Sequence, residues 1–261
     1  MTSRFDHAWL KLDRAKQHID DLEAEIVAFH RTNPYPLVTE DDPQTGKRMV
    51  KIGSDPAPIP DAVPLILGDA VHAIRTSLDY FANAAVPNPG EQTMFPIVRS
   101  NRVPKPAELQ SLVGGKVQGA SKQLRKALYD LQPYLGGHGE RLWLVNHLDV
   151  IDKHRLLVTI GTAYRSFGFD AAKVLFGTSE RTKNLPALPV FIRPAERYPV
   201  EANTPLFGAD PEFFEKNPEL KFVFEVAFGE PQILVGEPVV PTLRRLLDEV
   251  ESLLKRLIPL V

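Results

Sequence analysis

The stretch Phe5-Asp-His-Ala-Trp-Leu-Lys-Leu-Asp-Arg-Ala-Lys-Gln-His-Ile-Asp-Asp-Leu-Glu-Ala-Glu-Ile-Val-Ala-Phe29 decides the class of fold. Its apolar residues Phe5, Ala8, Leu12, Ala15, Ile19, Leu22, Ile26 and Phe29 alternate steps of three and four, the repeat of one helical face. The helix ends before Asn33-Pro34-Tyr35-Pro36. At about 1.5 Å per residue it is on the order of 40 Å long and needs a long partner for its stripe. The far end supplies one: after Pro241, Leu243, Leu247, Val250, Leu254 and Leu257 repeat the alternation. The two terminal helices are expected to share one bundle. Stripes of this length can also pair across a homodimer, and periodicity does not separate the two arrangements.

Working inward, 35–52 reads as a hairpin whose turn is Asp41-Asp42-Pro43-Gln44-Thr45-Gly46, with Asp41 and Asp42 shaping the turn. Helices are predicted over 62–86, 121–131 and from Leu142 to about Leu156. The segment between the first two reads as irregular because it is rich in Pro and Gly. From Leu156 the pattern changes to β-branched and aromatic runs at 156–161, 172–176, 188–192, 221–228 and 232–235, with Gly229-Glu230-Pro231 as a turn between the last two. The expectation is a single α+β domain over 1–261. It consists of a helical bundle (1–155 and 241–258) with a small antiparallel β-sheet (156–236) inserted before the last helix.

Composition narrows the chemistry. The chain has 261 residues, 43% hydrophobic and 25% charged, with 31 basic and 33 acidic side chains and no cysteine. Disulfides, thiolate metal sites and cysteine nucleophiles are excluded. The near-neutral balance gives no global footprint for nucleic acid, although Lys116, Lys122, Arg125 and Lys126 form a modest basic patch. The N-terminal residues lack the basic start and apolar run of a signal peptide, and no stretch has the length of a membrane span, so a cytoplasmic protein without membrane partners is expected. Nucleotide-cradling, serine-hydrolase and zincin motifs are not present, and no cofactor is implied. Gly136-Gly137-His138-Gly139 reads as a turn.

Two helices carry polar residues that packing does not require. On Gly68-Asp-Ala-Val-His-Ala-Ile-Arg-Thr-Ser-Leu-Asp79, residues Asp69, His72, Arg75 and Asp79 share one face. On Leu142-Trp-Leu-Val-Asn-His-Leu-Asp-Val-Ile-Asp-Lys-His-Arg155, apolar residues nearly encircle the helix, yet Asn146, His147, Asp149, Asp152 and His154 sit among them. Buried charges persist only when paired, so these groups must meet partners, and the first helix is the obvious source. Arg75, His72, Asp79, His147, Asp152 and His154 are therefore the candidate site residues. One reading makes them a cleft in which neighbouring charges tune histidine for acid–base work. The other makes them a structural network inside a non-enzymatic protein-interaction module. His147 and His154 with Asp149 or Asp152 could also hold a divalent metal, but the spacing matches no familiar metal motif, and no metal is assigned.

These motifs, G-D-A-x-H-x-x-R-x-x-L-D at 68–79 and L-W-x-x-x-x-L-D-x-x-D-K-H-R at 142–155, resemble those of a widespread group of bacterial proteins. Phe95-Pro96-Ile97 and Leu131-Gln132-Pro133-Tyr134 fit the same group. The likeness covers most of the first 160 residues and itself implies no activity. In that group the first motif often continues as R-x-x-x-x-H, which resembles the signature of HEPN domains, helical bundles that include metal-independent ribonucleases. The resemblance implies an RNA- or nucleotide-directed role, ribonuclease-like or catalytically silent, and pairing into homodimers. In such a mechanism Arg75 would stabilise developing phosphorane charge beside a histidine acting on the ribose 2′-hydroxyl. Tyr80 stands where that histidine belongs, and a phenol with a pKa near 10 is a poor replacement at neutral pH.

Overall fold

The computed structural model describes residues 3–54, 56–157, 159–168, 201–216, 221–229 and 233–261. The first stripe folds as α1 (Asp6–Arg31) and the last as α7 (Val239–Leu257), which runs into a short 3-10 turn at Ile258–Leu260. Between them lie α2 (Ala62–Ala85), α3 (Pro106–Lys116), α4 (Lys122–Asp130) and α5 (Glu140–Asp152). The chain is α+β, and its contacts divide it into two compact units: 1–24, 61–157 and 239–261 form the first, and 25–60 with 158–238 the second.

In the first unit the periodic residues are the core. Phe5 just before α1 and Ala8, Leu12, Ala15, Ile19 and Leu22 of α1 are buried, as are Leu243, Leu247, Val250, Leu254 and Leu257 of α7. Each large apolar side chain removed from water contributes roughly 1.5–3 kcal/mol. The polar borders of the two helices are joined by Lys16–Glu251 at 3.2 Å and by Arg244, which reaches Asp20 at 2.9 Å and Glu23 at 2.6 Å. The α2 helix packs on both α5 and α7 and brings Leu67, Ile74, Leu78 and Phe81 into the centre. Ser121 caps α4 by accepting the Leu124 N–H at 3.0 Å, and its hydroxyl donates to the Leu260 carbonyl at 2.6 Å.

Two features of this unit depart from expectation. The proline-rich segment contains α3, which starts with Pro106 in its first turn, while the Glu108 carboxylate accepts the Lys105 N–H at 2.9 Å. Only Leu109 and Val113 of α3 are buried, so no extended stripe marks it in the sequence. The second motif helix also stops early. The α5 helix ends at Asp152, where the His154 N–H bonds the Ile151 carbonyl at 3.0 Å, a tightened last turn that leaves 153–155 outside the helix.

The second unit holds the strands. β1 (Leu37–Asp41) and β2 (Arg48–Ile52) form the expected hairpin, with Arg48 Nε 2.7 Å from Asp41 Oδ1 across the strands. Asp42 shapes the turn by accepting the Gln44 N–H at 2.9 Å and the Thr45 hydroxyl at 2.6 Å. The hairpin does not stand apart from the later strands. β4 (Pro205–Ala209) pairs antiparallel with β2, giving the order β1-β2-β4, because Val50 and Ile52 of β2 are core residues and its second edge needs a partner. β3 (Thr159–Gly168) pairs antiparallel with β5 (Lys221–Phe228), and α6 (Pro211–Lys216) lies between β4 and β5 in the chain.

The expected strands at 172–176 and 188–192 lie outside the described residues, as do Glu230 and Pro231 of the expected turn. The expected strand at 232–235 is corrected, because 233–236 is a turn. Leu234 and Gly236 adopt φ of 54° and 77°, the Gly236 N–H donates to the Phe228 carbonyl at 2.9 Å, and Ala227 bridges Pro238. Among the described residues no helix is long and apolar enough to cross a membrane.

Candidate functional site

The two motif helices meet as antiparallel neighbours whose turns are matched in rungs. At the first rung Gly68 of α2 faces Asp152 of α5. A Cβ on residue 68 would lie 2.1 Å from Asp152 Oδ1, so glycine provides the close approach. One turn further, His72 Nδ1 lies 2.8 Å from Asp149 Oδ1, and at the third rung Arg75 Nε donates to Asn146 Oδ1 at 2.9 Å. Steps of four and three on α2 against steps of three on α5 keep these pairs in register.

Each rung has a different exposure. The Asp149 side chain is 3% exposed and is shared between His72 and Lys153, whose Nζ is 2.6 Å from Oδ2. The His72 side chain is 52% exposed, and its Nε2 lies 3.3 Å from the Thr76 hydroxyl. With Nδ1 donating to the carboxylate, Nε2 is left to accept from that hydroxyl, so Asp149, His72 and Thr76 form a carboxylate–imidazole–hydroxyl chain anchored on a buried carboxylate. Asp152 is held above the usual aspartate range, first by burial and then by the negative charges of Asp149 and Asp69, with His72 and Lys153 opposing them. A carboxyl raised in the fold favours its protonated form, so its contribution to stability is present below the unfolded pKa and is lost as pH rises through the folded one. Asp152→Asn is therefore expected to raise the melting temperature at pH 7 and to leave it unchanged near pH 3. Equal gains at both pH values would remove the titration as the cause.

Arg75 is 7% exposed. Besides Asn146 it meets Asp79, with Nη1 2.6 Å from Oδ1 in an ion pair along the helix. The same Asp79 oxygen accepts the Phe95 N–H at 2.9 Å, which ties the segment after α2 to the helix. Nη2 of Arg75 has no partner among the described residues. Arg75 is one of the residues lining a cleft of about 540 Å3 whose lining also includes Asn146, Phe95, Arg99, Arg102, Glu108 and Lys116. Arg102 grips Glu108 with two bonds of 2.8 and 3.1 Å. Those bonds, followed by the Lys105 N–H, hold the Glu108 carboxyl down to about 2.

His72, Arg75 and Asp152 thus belong to the helix interface, and Asp79 joins it through Arg75. His147 is elsewhere, stacked on Trp143 with ring centroids 4.7 Å apart. His154 lies beyond the end of α5 and is exposed. Tyr80 stands against α1, its ring edge-on to His7 at 6.0 Å and 5.9 Å from Lys11 Nζ. Among the described residues no three His, Asp or Glu side chains converge as metal ligands. Arg99 and Arg102 did not stand out in the sequence. The available signal was two arginines three apart in the proline-bounded stretch after Phe95-Pro96-Ile97, and only the fold joins them to Arg75 and Lys116. The chain matches no family model, no curated protein and no solved structure.

Proposed function

We propose that this chain is an RNA- or nucleotide-directed protein of the cytoplasm, a HEPN-like bundle that binds its ligand in the Arg75 cleft without cutting it. One observation carries the reading: the cleft lining sets four cations, Arg75, Arg99, Arg102 and Lys116, against the single carboxylate Glu108. A concave site of this size falls within the roughly 300–1,000 Å3 of small-molecule pockets, and its charge selects anions. Binding rather than cleavage is favoured because the lining includes no histidine and Tyr80 is packed against α1. An acid–base pair for the 2′-hydroxyl is thus not found beside the arginine.

The test is fluorescence anisotropy with single-stranded RNA labelled at its 3′ end. Affinity is expected to fall with salt at a log–log slope of roughly −1 to −2, as for a few phosphate contacts, and the RNA should stay intact on a gel. Arg99→Ala should weaken binding without altering the unfolding transition, since this side chain is exposed. Silence at low salt would overturn the proposal, and cut RNA would overturn its non-catalytic half. The burial of Arg75 against Asn146, and of Asp149 beneath His72 and Lys153, favours a second reading. On that reading the network is structural and the protein is an interaction module. It would be supported by destabilisation of network variants together with absence of RNA binding.

A further inference from the structure

The cationic groups of the cleft do not all carry free charge. Arg75 is paired with Asp79, and Arg102 is gripped by Glu108. Arg99 has no partner among the described residues, and Lys116 Nζ meets only the neutral amide oxygen of Gln92, at 3.4 Å. Two positive charges are therefore left uncompensated in a lining that also includes Arg75, whose Nη2 has no hydrogen-bond partner among the described residues. An internal phosphodiester brings one negative charge and has a ribose on either side. A phosphate monoester brings about −1.5 to −2 at neutral pH and three terminal oxygens. As a chain end it can be lowered onto a guanidinium that is 7% exposed, which a diester flanked on both sides cannot match without distorting its backbone.

We infer that the cleft is a phosphate-monoester site, which takes the terminal phosphate of a nucleotide, either free or at the end of an RNA strand. The inference rests on the nucleotide-directed reading above and narrows it. Arg75 is suited to this lining because Asn146 and Asp79 fix its plane beforehand, so little side-chain freedom is lost when Nη2 donates to a phosphate oxygen. Arg99 and Lys116 supply the matching charge from the rim. Met94, Ile97, Val98, Pro104 and Leu112 give the rest of the lining an apolar character suited to the flat face of a base. The paired Arg102 and Glu108 keep their charges at any pH well above about 2, so they frame the site without titrating at neutral pH.

The experiment compares four probes on the full chain by calorimetry or anisotropy. They are a 3′-labelled RNA octamer with a 5′-phosphate, the same octamer with a 5′-hydroxyl, adenosine 5′-monophosphate and inorganic phosphate. The phosphorylated octamer is expected to bind about tenfold tighter than its hydroxyl counterpart, the yield of about one charge-assisted contact. Arg99→Ala and Lys116→Ala should each erase most of that ratio while leaving the unfolding transition in place. The two sources are separated by the mononucleotide, since affinity equal to that of the phosphorylated octamer assigns the site to free nucleotide and weaker affinity assigns it to strand ends. Equal binding of both octamers overturns the monoester site but leaves RNA binding standing. Inorganic phosphate binding as well as the nucleotide overturns the nucleoside part, and no binding by any probe overturns this inference and the reading beneath it together.

Discussion

Arg75→Ala is expected to cost about 2–3 kcal/mol of unfolding free energy, read as a lowered urea midpoint at unchanged slope. Three effects combine. Asn146, itself 7% exposed, loses the donor to its carbonyl oxygen and is left as a buried polar group without that partner. Asp79 loses its ion pair, but its side chain is 35% exposed and can take up water, so this contribution is the smaller one. The aliphatic stem of the arginine also leaves a gap between α2 and α5. Arg75→Lys should recover only part of the loss, because an ammonium is a point charge and does not bridge an amide and a carboxylate in one plane. In a double-mutant cycle, Asn146→Ala should cost clearly less once Arg75 is gone than in the parent, with a coupling of about 1 kcal/mol. Additive losses, or a single-mutant loss under about 0.5 kcal/mol, would mean that the guanidinium does not hold the helices together.

This expectation also determines how the site can be probed. An arginine that is both a structural tie and part of the lining of a cleft gives ambiguous binding data when removed, because the cleft loosens as the contact disappears. Arg99 and Lys116 do not have that double role, and for this reason the binding tests turn on them.

How much of this was legible in the sequence follows from the range of each signal. Helical periodicity is local, so α1, α2, α5 and α7 could be read from their stripes to within a few residues. The α3 helix could not, since it buries only Leu109 and Val113 and contains Gly114 and Gly115. The polar pairing was half legible. Steps of three and four put Asp69, His72, Arg75 and Asp79 on one face, and the burial argument required partners on the second motif helix. Which residue meets which depends on the register of the two helices, and Gly68 against Asp152 sets that register. Register is a property of packing, so His147 and His154 were as plausible in sequence as Asn146 and Asp149. In the fold one histidine stacks on Trp143 and the other lies past the helix end. The cleft was least legible, because its cations come from α2, the 99–102 segment and the end of α3, which only tertiary structure brings together.

The segment that closes this cleft depends on one ring, and Phe81→Ala is expected to have the largest effect of any single change considered, about 3–5 kcal/mol. Phe81 has no exposed surface. It stacks on Phe5 with centroids 5.6 Å apart and an interplanar angle of 24°, and it meets Phe95 at 6.4 Å. Alanine would leave a cavity that α1 and α2 cannot close, because their remaining stripe residues already fix their separation. The consequence extends beyond stability. Phe95 lines the cleft, and its N–H bonds the Asp79 oxygen that pairs with Arg75. Slack behind Phe95 is therefore passed through Asp79 to the guanidinium in the lining. Measured well below its lowered melting temperature, Phe81→Ala should still be folded by circular dichroism and yet bind nucleotide less tightly than the parent. Phe81→Leu, which keeps most of the volume, should retain more of both stability and affinity. Stability lost with affinity unchanged would separate the aromatic core from the cleft, and affinity lost with little change in stability would contradict the placement of Phe81 in the core.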